Sequence, residues 1–177
     1  MKLIRHLIII LVIGAAVLAG GGLLLPGEIR VERSAVIQAP PSAVFPYVNS
    51  AAKFNEWSPW AARDPNTQYA FTGPAEGAGN RMQWQSEHMG SGSMAIVESV
   101  PDRKVALALD FGHMGEADSS YVLTPEKDGT RVTWGIVSRL PYEPVARWMG
   151  LMLGRWIGAD FEDGLRRLKN KVEKGTP

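Results

Sequence analysis

The stretch that most constrains the fold is Pro144 to Lys174, the longest helix candidate outside the amino-terminal apolar run. In its second half Ile157, Phe161, Leu165, Leu168 and Val172 recur at helical spacing, while Glu162, Arg166, Lys169 and Glu173 occupy the other side. That pattern predicts an amphipathic helix. Its first half carries Trp148, Met149, Met152 and Trp156, a bulky and adaptable apolar set that other parts of the chain are expected to cover.

The segments before it alternate. After an opening strand over Glu28 to Gln38, Pro40-Pro41 starts a short helix through Phe45 and Val48, and Asn49-Ser50 caps a second one running to about Trp57. Strand candidates follow at Asn66–Thr72, Asn80–Glu87, Ser93–Val100, Val105–Phe111, a segment around Tyr121 and Leu123, and Thr130–Arg139. The last is the clearest, with Val132, Trp134 and Ile136 on one side and Arg131, Thr133 and Arg139 on the other. Asp128-Gly129 is a hairpin signal. One apolar and one polar face per strand predicts an antiparallel sheet covered on one side. The fold class is therefore α+β, a curved sheet of about seven strands wrapped around a long carboxy-terminal helix.

Leu7 to Leu25 carries no charge, follows Lys2 and Arg5, and ends at Pro26-Gly27. At 1.5 Å per residue it would reach about 28 Å, close to the thickness of a bilayer core. We read residues 1–27 as a transmembrane anchor and 28–177 as the folded domain. A cleaved signal peptide is the competing reading, because Val17-Leu18-Ala19 resembles a cleavage site; the apolar run through Leu23, Leu24 and Leu25 favours retention. The preceding positive charges predict a cytoplasmic amino terminus and a domain on the periplasmic or extracellular side. Gly20-Gly21-Gly22 reads as a poor helix stretch near an interface rather than a packing face.

Composition narrows the chemistry. The chain lacks cysteine, which excludes disulfides and thiolate catalysis. Its 19 basic and 18 acidic residues leave a net charge of +1, no footprint for nucleic acid. His6 lies at the membrane edge, and His88 and His113 lie in separate turns, so no metal site is expected. Gly90-Ser91-Gly92-Ser93-Met94-Ala95 imitates a dinucleotide fingerprint but opens into a strand, where a phosphate would meet no helix terminus; no cofactor is expected. Glu98 shares parity with Met94 and Ile96 and is the one carboxylate aimed inward by period, with Arg33 as its candidate partner, which makes it a weak candidate for acid–base chemistry.

The order of elements resembles the helix-grip fold of the START-like, or SRPBCC, superfamily. More narrowly it is similar to the polyketide cyclase/dehydrase and lipid-transport type with an amino-terminal membrane segment. The resemblance rests on Val31-Glu32-Arg33-Ser34, Ala39-Pro40-Pro41, Val44-Phe45, Trp57-Ser58-Pro59-Trp60 and Asp64-Pro65. Gly73-Pro74 with Gly77 and Gly79, Gly129 to Trp134, and Phe161 to Lys169 complete it. It implies a deep apolar cavity between sheet and helix, and a hydrophobic small molecule as partner. A lone helix is too thin to fill such a sheet. The lining expected is Trp57, Trp60, Trp84, Met94, Phe111, Tyr121, Trp134, Met152, Trp156 and Phe161. Three functions stay open: a membrane-tethered binder of a lipid-like or polyketide-like molecule, a cyclase- or dehydrase-like enzyme, and an interaction module with a collapsed cavity. The sequence points to no particular protein partner.

Overall fold

The computed structural model describes residues 2–140 and 142–175. It contains helix α1 (Lys2–Leu24), strand β1 (Glu28–Ile37), and three short helices α2 (Pro41–Val48), α3 (Ala51–Asn55) and α4 (Pro59–Arg63). Strands β2 (Gln68–Thr72), β3 (Arg81–Ser86), β4 (Gly90–Val100), β5 (Lys104–Asp110), β6 (Glu116–Glu126) and β7 (Gly129–Arg139) follow, and α5 (Pro144–Gly175) closes the chain. The sheet order is β1-β7-β6-β5-β4-β3-β2, with antiparallel neighbours throughout. This is the helix-grip architecture: β2 to β7 form a meander, and β1 returns to pair with the last strand.

Alternation builds the sheet as expected. On β7 Val132, Trp134 and Ile136 are buried and Arg131 is exposed. The β6–β7 turn centres on Lys127 and Asp128, because Glu126 pairs with Gly129. Gly129 has φ 147°, and a Cβ there would stand 2.0 Å from the Ile37 carbonyl oxygen, so glycine is required.

The short helices number three, not two. Ser58 begins the extra one, its Oγ accepting from Ala61 N–H at 3.4 Å, with Pro59 in the first turn. These helices correct the expectation of a lone rod inside a hollow. They bring Val44, Val48, Phe54 and Trp57 into the concavity, all buried. Trp134 and Phe161 then meet face to face, ring centroids 3.8 Å apart and planes 8° from parallel. The middle of the concave face is filled.

Helix α5 runs alongside β1 in the same sense. Gly150 and Gly154 lie against Ile29, and Gly158 lies against the Arg33 guanidinium. Farther along, Lys169 Nζ donates to Val36 O at 2.8 Å and Glu173 Oε1 accepts from Gln38 N at 2.8 Å. Thirty-two residues make a helix about 48 Å long. The ten residues of β1 span about 34 Å. The first turns of α5 therefore overhang the sheet and reach α1.

The glycine run of α1 is a packing face, contrary to the expectation. Gly22 is buried against Pro144, where a Cβ would come within 2.7 Å, and Gly21 contacts the Trp148 ring. Absent side chains let the two helix backbones close up.

The Trp134–Phe161 stack predicts that Phe161→Ala will cost about 3–5 kcal/mol in urea unfolding, the usual penalty for deleting a packed aromatic core residue. A loss under about 1 kcal/mol would mean that the rings do not pack as described.

Candidate functional site

Burial on the inner face of the sheet changes along its length. At the end covered by α2 and α3, Ile37, Val105 and Val132 are each 0% exposed. Toward the α1 end, Leu109, Phe111 and Ser138 are only half-buried, and so is Trp84 on β3. Leu140 and Ile157 are half-buried on the helix side of the same end, and Leu153 is 37% exposed. The sheet register brings these residues to one end: Ile29 pairs with Ser138, Ser138 with Ala117, Ala117 with Leu109, and Leu109 with Met94.

Trp84 is held flat by glycine. It pairs with Gly92 on β4, and a Cβ on Gly92 would lie 2.3 Å from the indole and 2.5 Å from Asp110 O. Its other edge meets the Phe111 ring at 5.8 Å in a T-shaped contact. Phe111 itself follows the end of β5 and leads into a short turn over Gly112–Met114. Together they form a half-buried aromatic pair packed against the edge of the core.

The ten expected lining residues divide into three groups. Trp57, Met94, Tyr121, Trp134 and Phe161 are at most 4% exposed, and four of them form a core of interlocked rings: Trp57–Trp134 at 5.6 Å, Trp57–Tyr121 at 6.0 Å and Tyr121–Trp134 at 5.2 Å, besides the central stack. Trp60, Trp84 and Phe111 are half-buried. Met152 and Trp156 correct the expectation, being 56% and 59% exposed. The reason is helix phase: glycines face β1, so Met152, two residues beyond Gly150 at about 100° per residue, points away from the sheet. Leu109, Leu140, Leu153 and Ile157 take part at the open end instead; sequence patterning gives them no mark beyond ordinary alternation.

Trp60 closes the rim between α4 and α5. Its Nε1 donates to Asp160 Oδ2 at 3.0 Å, and Arg63 binds the same carboxylate with both terminal nitrogens. The Asp160 hydrogen bond raises the Arg63 pKa above its ordinary value. The buried Tyr121 phenol is pushed well up by desolvation, and its hydroxyl has no hydrogen-bond partner among the described residues.

Glu98 does not face inward. The β4–β5 register skips a residue between Ile96 and Glu98, so the bulge at Val97 reverses the parity beyond it. Ser99 takes the inner position and donates to Asn49 Oδ1 at 2.7 Å. Glu98 turns outward to Lys104 Nζ at 2.7 Å. Arg33, its expected partner, binds Glu162 instead, Nε to Oε1 at 2.6 Å. His88 is exposed, and the His113 side chain lies outside the described residues; among the described residues no three His, Asp or Glu side chains converge as metal ligands.

Asp64 anchors the segment before β2. Its Oδ2 accepts from Ser86 Oγ at 2.6 Å and its Oδ1 from Asn66 N–H at 3.0 Å. The Ser86 hydrogen bond, assisted by Asn66, holds this carboxyl below its ordinary pKa against the opposing effect of burial. Stability from the pair is present above the unfolded value of about 3.9 and is lost as pH falls through the lowered folded value. Asp64→Asn should therefore flatten the fall of the urea midpoint below about pH 4; an unchanged acid slope would contradict it. Glu98→Gln, at an exposed ion pair, should shift stability by at most about 0.5 kcal/mol.

Residues 28–173 match the family described as polyketide cyclase / dehydrase and lipid transport. No curated protein matches the sequence. Among solved structures the chain is similar to SA2116 of Staphylococcus aureus, a protein of unknown function (12% identity, TM-score 0.67, 84% of this chain and 96% of that one). It is also similar to the Aha1 dimer of Colwellia psychrerythraea (15% identity, TM-score 0.58, 84% and 99%). A third likeness is to the di-domain ARO/CYC protein StfQ from the steffimycin biosynthetic pathway (12% identity, TM-score 0.63, 83% and 51%). At such identities these likenesses carry the fold alone. A match spanning the sheet and nearly all of α5, on a helix-grip architecture, places the chain in the polyketide cyclase/dehydrase and lipid-transport family of the START-like superfamily.

Proposed function

We propose that this is a membrane-tethered domain that binds a hydrophobic small molecule, lipid-like or polyketide-like, at the open end of the concave face. The floor would be Trp84, Leu109 and Phe111, and the wall Leu140, Leu153 and Ile157. The observation that carries the reading is the burial gradient: inner-face residues are fully buried at the α2–α3 end, whereas at the α1 end Trp84, Leu109 and Phe111 are only half-buried beside the buried Met94 and Ala117. Accessible aromatic surface on a rigid sheet is the usual lining of a site for an apolar ligand. The family described as cyclase/dehydrase and lipid transport, and the likeness to an ARO/CYC protein, support ligands of this class.

The central rings, Trp57, Tyr121, Trp134 and Phe161, would then be support rather than contact. Packing fixes them, and through them the position of α5 over the sheet. Met94 supports the floor in the same way, paired with Met82 and Leu109.

The anchor belongs to the same reading. Ile4–Leu24 is one helix long and apolar enough to cross a membrane, and little of it is covered by the rest of the chain. With Lys2 before it and Arg5 in its first turn, the domain would stand on the periplasmic or extracellular side. A tether raises the local concentration of a membrane-dissolved ligand at the site. Binding without chemistry is favoured over a cyclase-like reaction, because Glu98 faces solvent and Asp160 is held by Trp60 and Arg63.

The test is photo-crosslinking of the full chain in nanodiscs with a diazirine-bearing fatty acid, mapped by mass spectrometry. The reading expects saturable adducts on the β3 and β5 peptides carrying Trp84 and Phe111, competed by unlabelled fatty acid. Adducts confined to α1, growing linearly with probe, would contradict it.

A further inference from the structure

The first half of α5 has an apolar surface that no other described part of the chain covers. Val145 is 68% exposed, Met149 61%, Leu151 52%, Met152 56% and Trp156 59%. Val145, Met149, Met152 and Trp156 recur at spacings of four, three and four, one stripe on the side opposite the glycine row that lies on β1. A helix apolar on nearly all sides is ordinarily buried in protein or in lipid. Between Pro144 and Ala159 its charges are Arg147 and Arg155, with no carboxylate.

The same segment is fastened to the end of α1. Trp148 Nε1 donates to Leu18 O at 2.9 Å, and Arg147 Nη1 donates to Leu23 O and Leu25 O, each at 2.9 Å. Those last two carbonyls lie at the helix end, where intrahelical donors run out. Gly22 against Pro144 completes the contact. Leu18 lies seven residues before Leu25, so Trp148 sits about 10 Å below the carboxy-terminal end of the apolar run. If α1 spans a bilayer, the start of α5 is held at interfacial depth, where tryptophan and arginine are favoured.

We propose that residues 144–156 of α5 are a second membrane element, lying in the outer leaflet interface of an anionic bilayer with Met149, Met152 and Trp156 among the acyl chains and Arg155 toward the headgroups. This rests on the reading of α1 as a membrane anchor and extends it. The covering partner is lipid rather than protein because the stripe is continuous with the helix that would enter the bilayer. Its positive charge without acid suits anionic headgroups. A consequence is that the half-open end of the concave face, where α5 leaves the sheet, adjoins the lipid surface. An apolar ligand could then pass between bilayer and site without crossing water.

The absence of cysteine makes the experiment direct. Single variants Met149→Cys, Met152→Cys, Arg166→Cys and Ile13→Cys of the full chain would carry nitroxide labels in phosphatidylethanolamine–phosphatidylglycerol vesicles. Collision with oxygen and with a water-soluble nickel chelate then reads depth. The proposal expects oxygen-to-nickel accessibility several-fold higher at positions 149 and 152 than at the exposed position 166, approaching that at position 13. If 149 and 152 match 166 while 13 stays lipid-like, the proposal is overturned and the anchor reading survives. If 13 is also water-like, the anchor reading fails and the proposal with it. Strong spin–spin broadening between copies at 149 would show that a second chain, not lipid, covers the face, and would overturn it too. Circular dichroism of each labelled variant checks that the exposed-face substitutions leave the fold intact.

Discussion

The rotation of α5 about its own axis is the constraint on which the molecule depends. Gly150, Gly154 and Gly158 recur every four residues and let the helix backbone settle directly on Ile29, Val31 and Arg33 of β1. With that side fixed, Phe161, Leu165, Leu168 and Val172 turn into the core farther along, all at most 2% exposed. Met149, Met152 and Trp156 are thereby turned out. Bulky residues at the glycine positions would lift the helix off β1, and the Trp134–Phe161 stack at 3.8 Å could not form at the same time.

Two halves of one helix thus do different work. The carboxy-terminal half is an ordinary amphipathic core helix, covered by α2 and α4 and by the ring cluster around Trp134. The amino-terminal half is held to the domain by glycine contacts and to α1 by Arg147 and Trp148. At that end of the concave face Trp84, Leu109 and Phe111 are less completely buried than the residues under α2 and α3. The open end, the apolar outer face of α5 and the end of α1 meet at one pole of the domain.

Much of the fold was legible in the sequence because period-two alternation and turn residues are local signals. The strands around Trp134, Leu107 and Met82 and the helix through Leu165 follow directly from them. The site was less legible, for identifiable reasons. A β-bulge adds one residue with no marker of its own, so Val97 silently inverted Glu98. Glycine carries no hydrophobic weight, so bulk assigned Met152 and Trp156 to the lining when close approach had reserved the sheet-facing side of α5 for Gly150 and Gly154. The same blindness made Gly21 and Gly22 look like a weak helix stretch rather than a contact. Trp57, Tyr121 and Trp134 were correctly read as inward, but pattern alone cannot say whether inward aromatics fill a space or line it. That depends on whether α2 to α4 bring Phe54 and Val48 across to meet them, which is a property of tertiary packing.

The most direct measurement is disulfide trapping in the cysteine-free full chain. Were Gly154 to carry a Cβ, it would lie 3.5 Å from Ile29 Cγ2, so side chains at the two positions meet. The double variant Ile29→Cys with Gly154→Cys should form the bond under mild oxidation, and Ile29→Cys with Met152→Cys should not. Preferential trapping of the Met152 pair would show that α5 is rotated the other way and that its bulky face, not its glycine face, lies on the sheet.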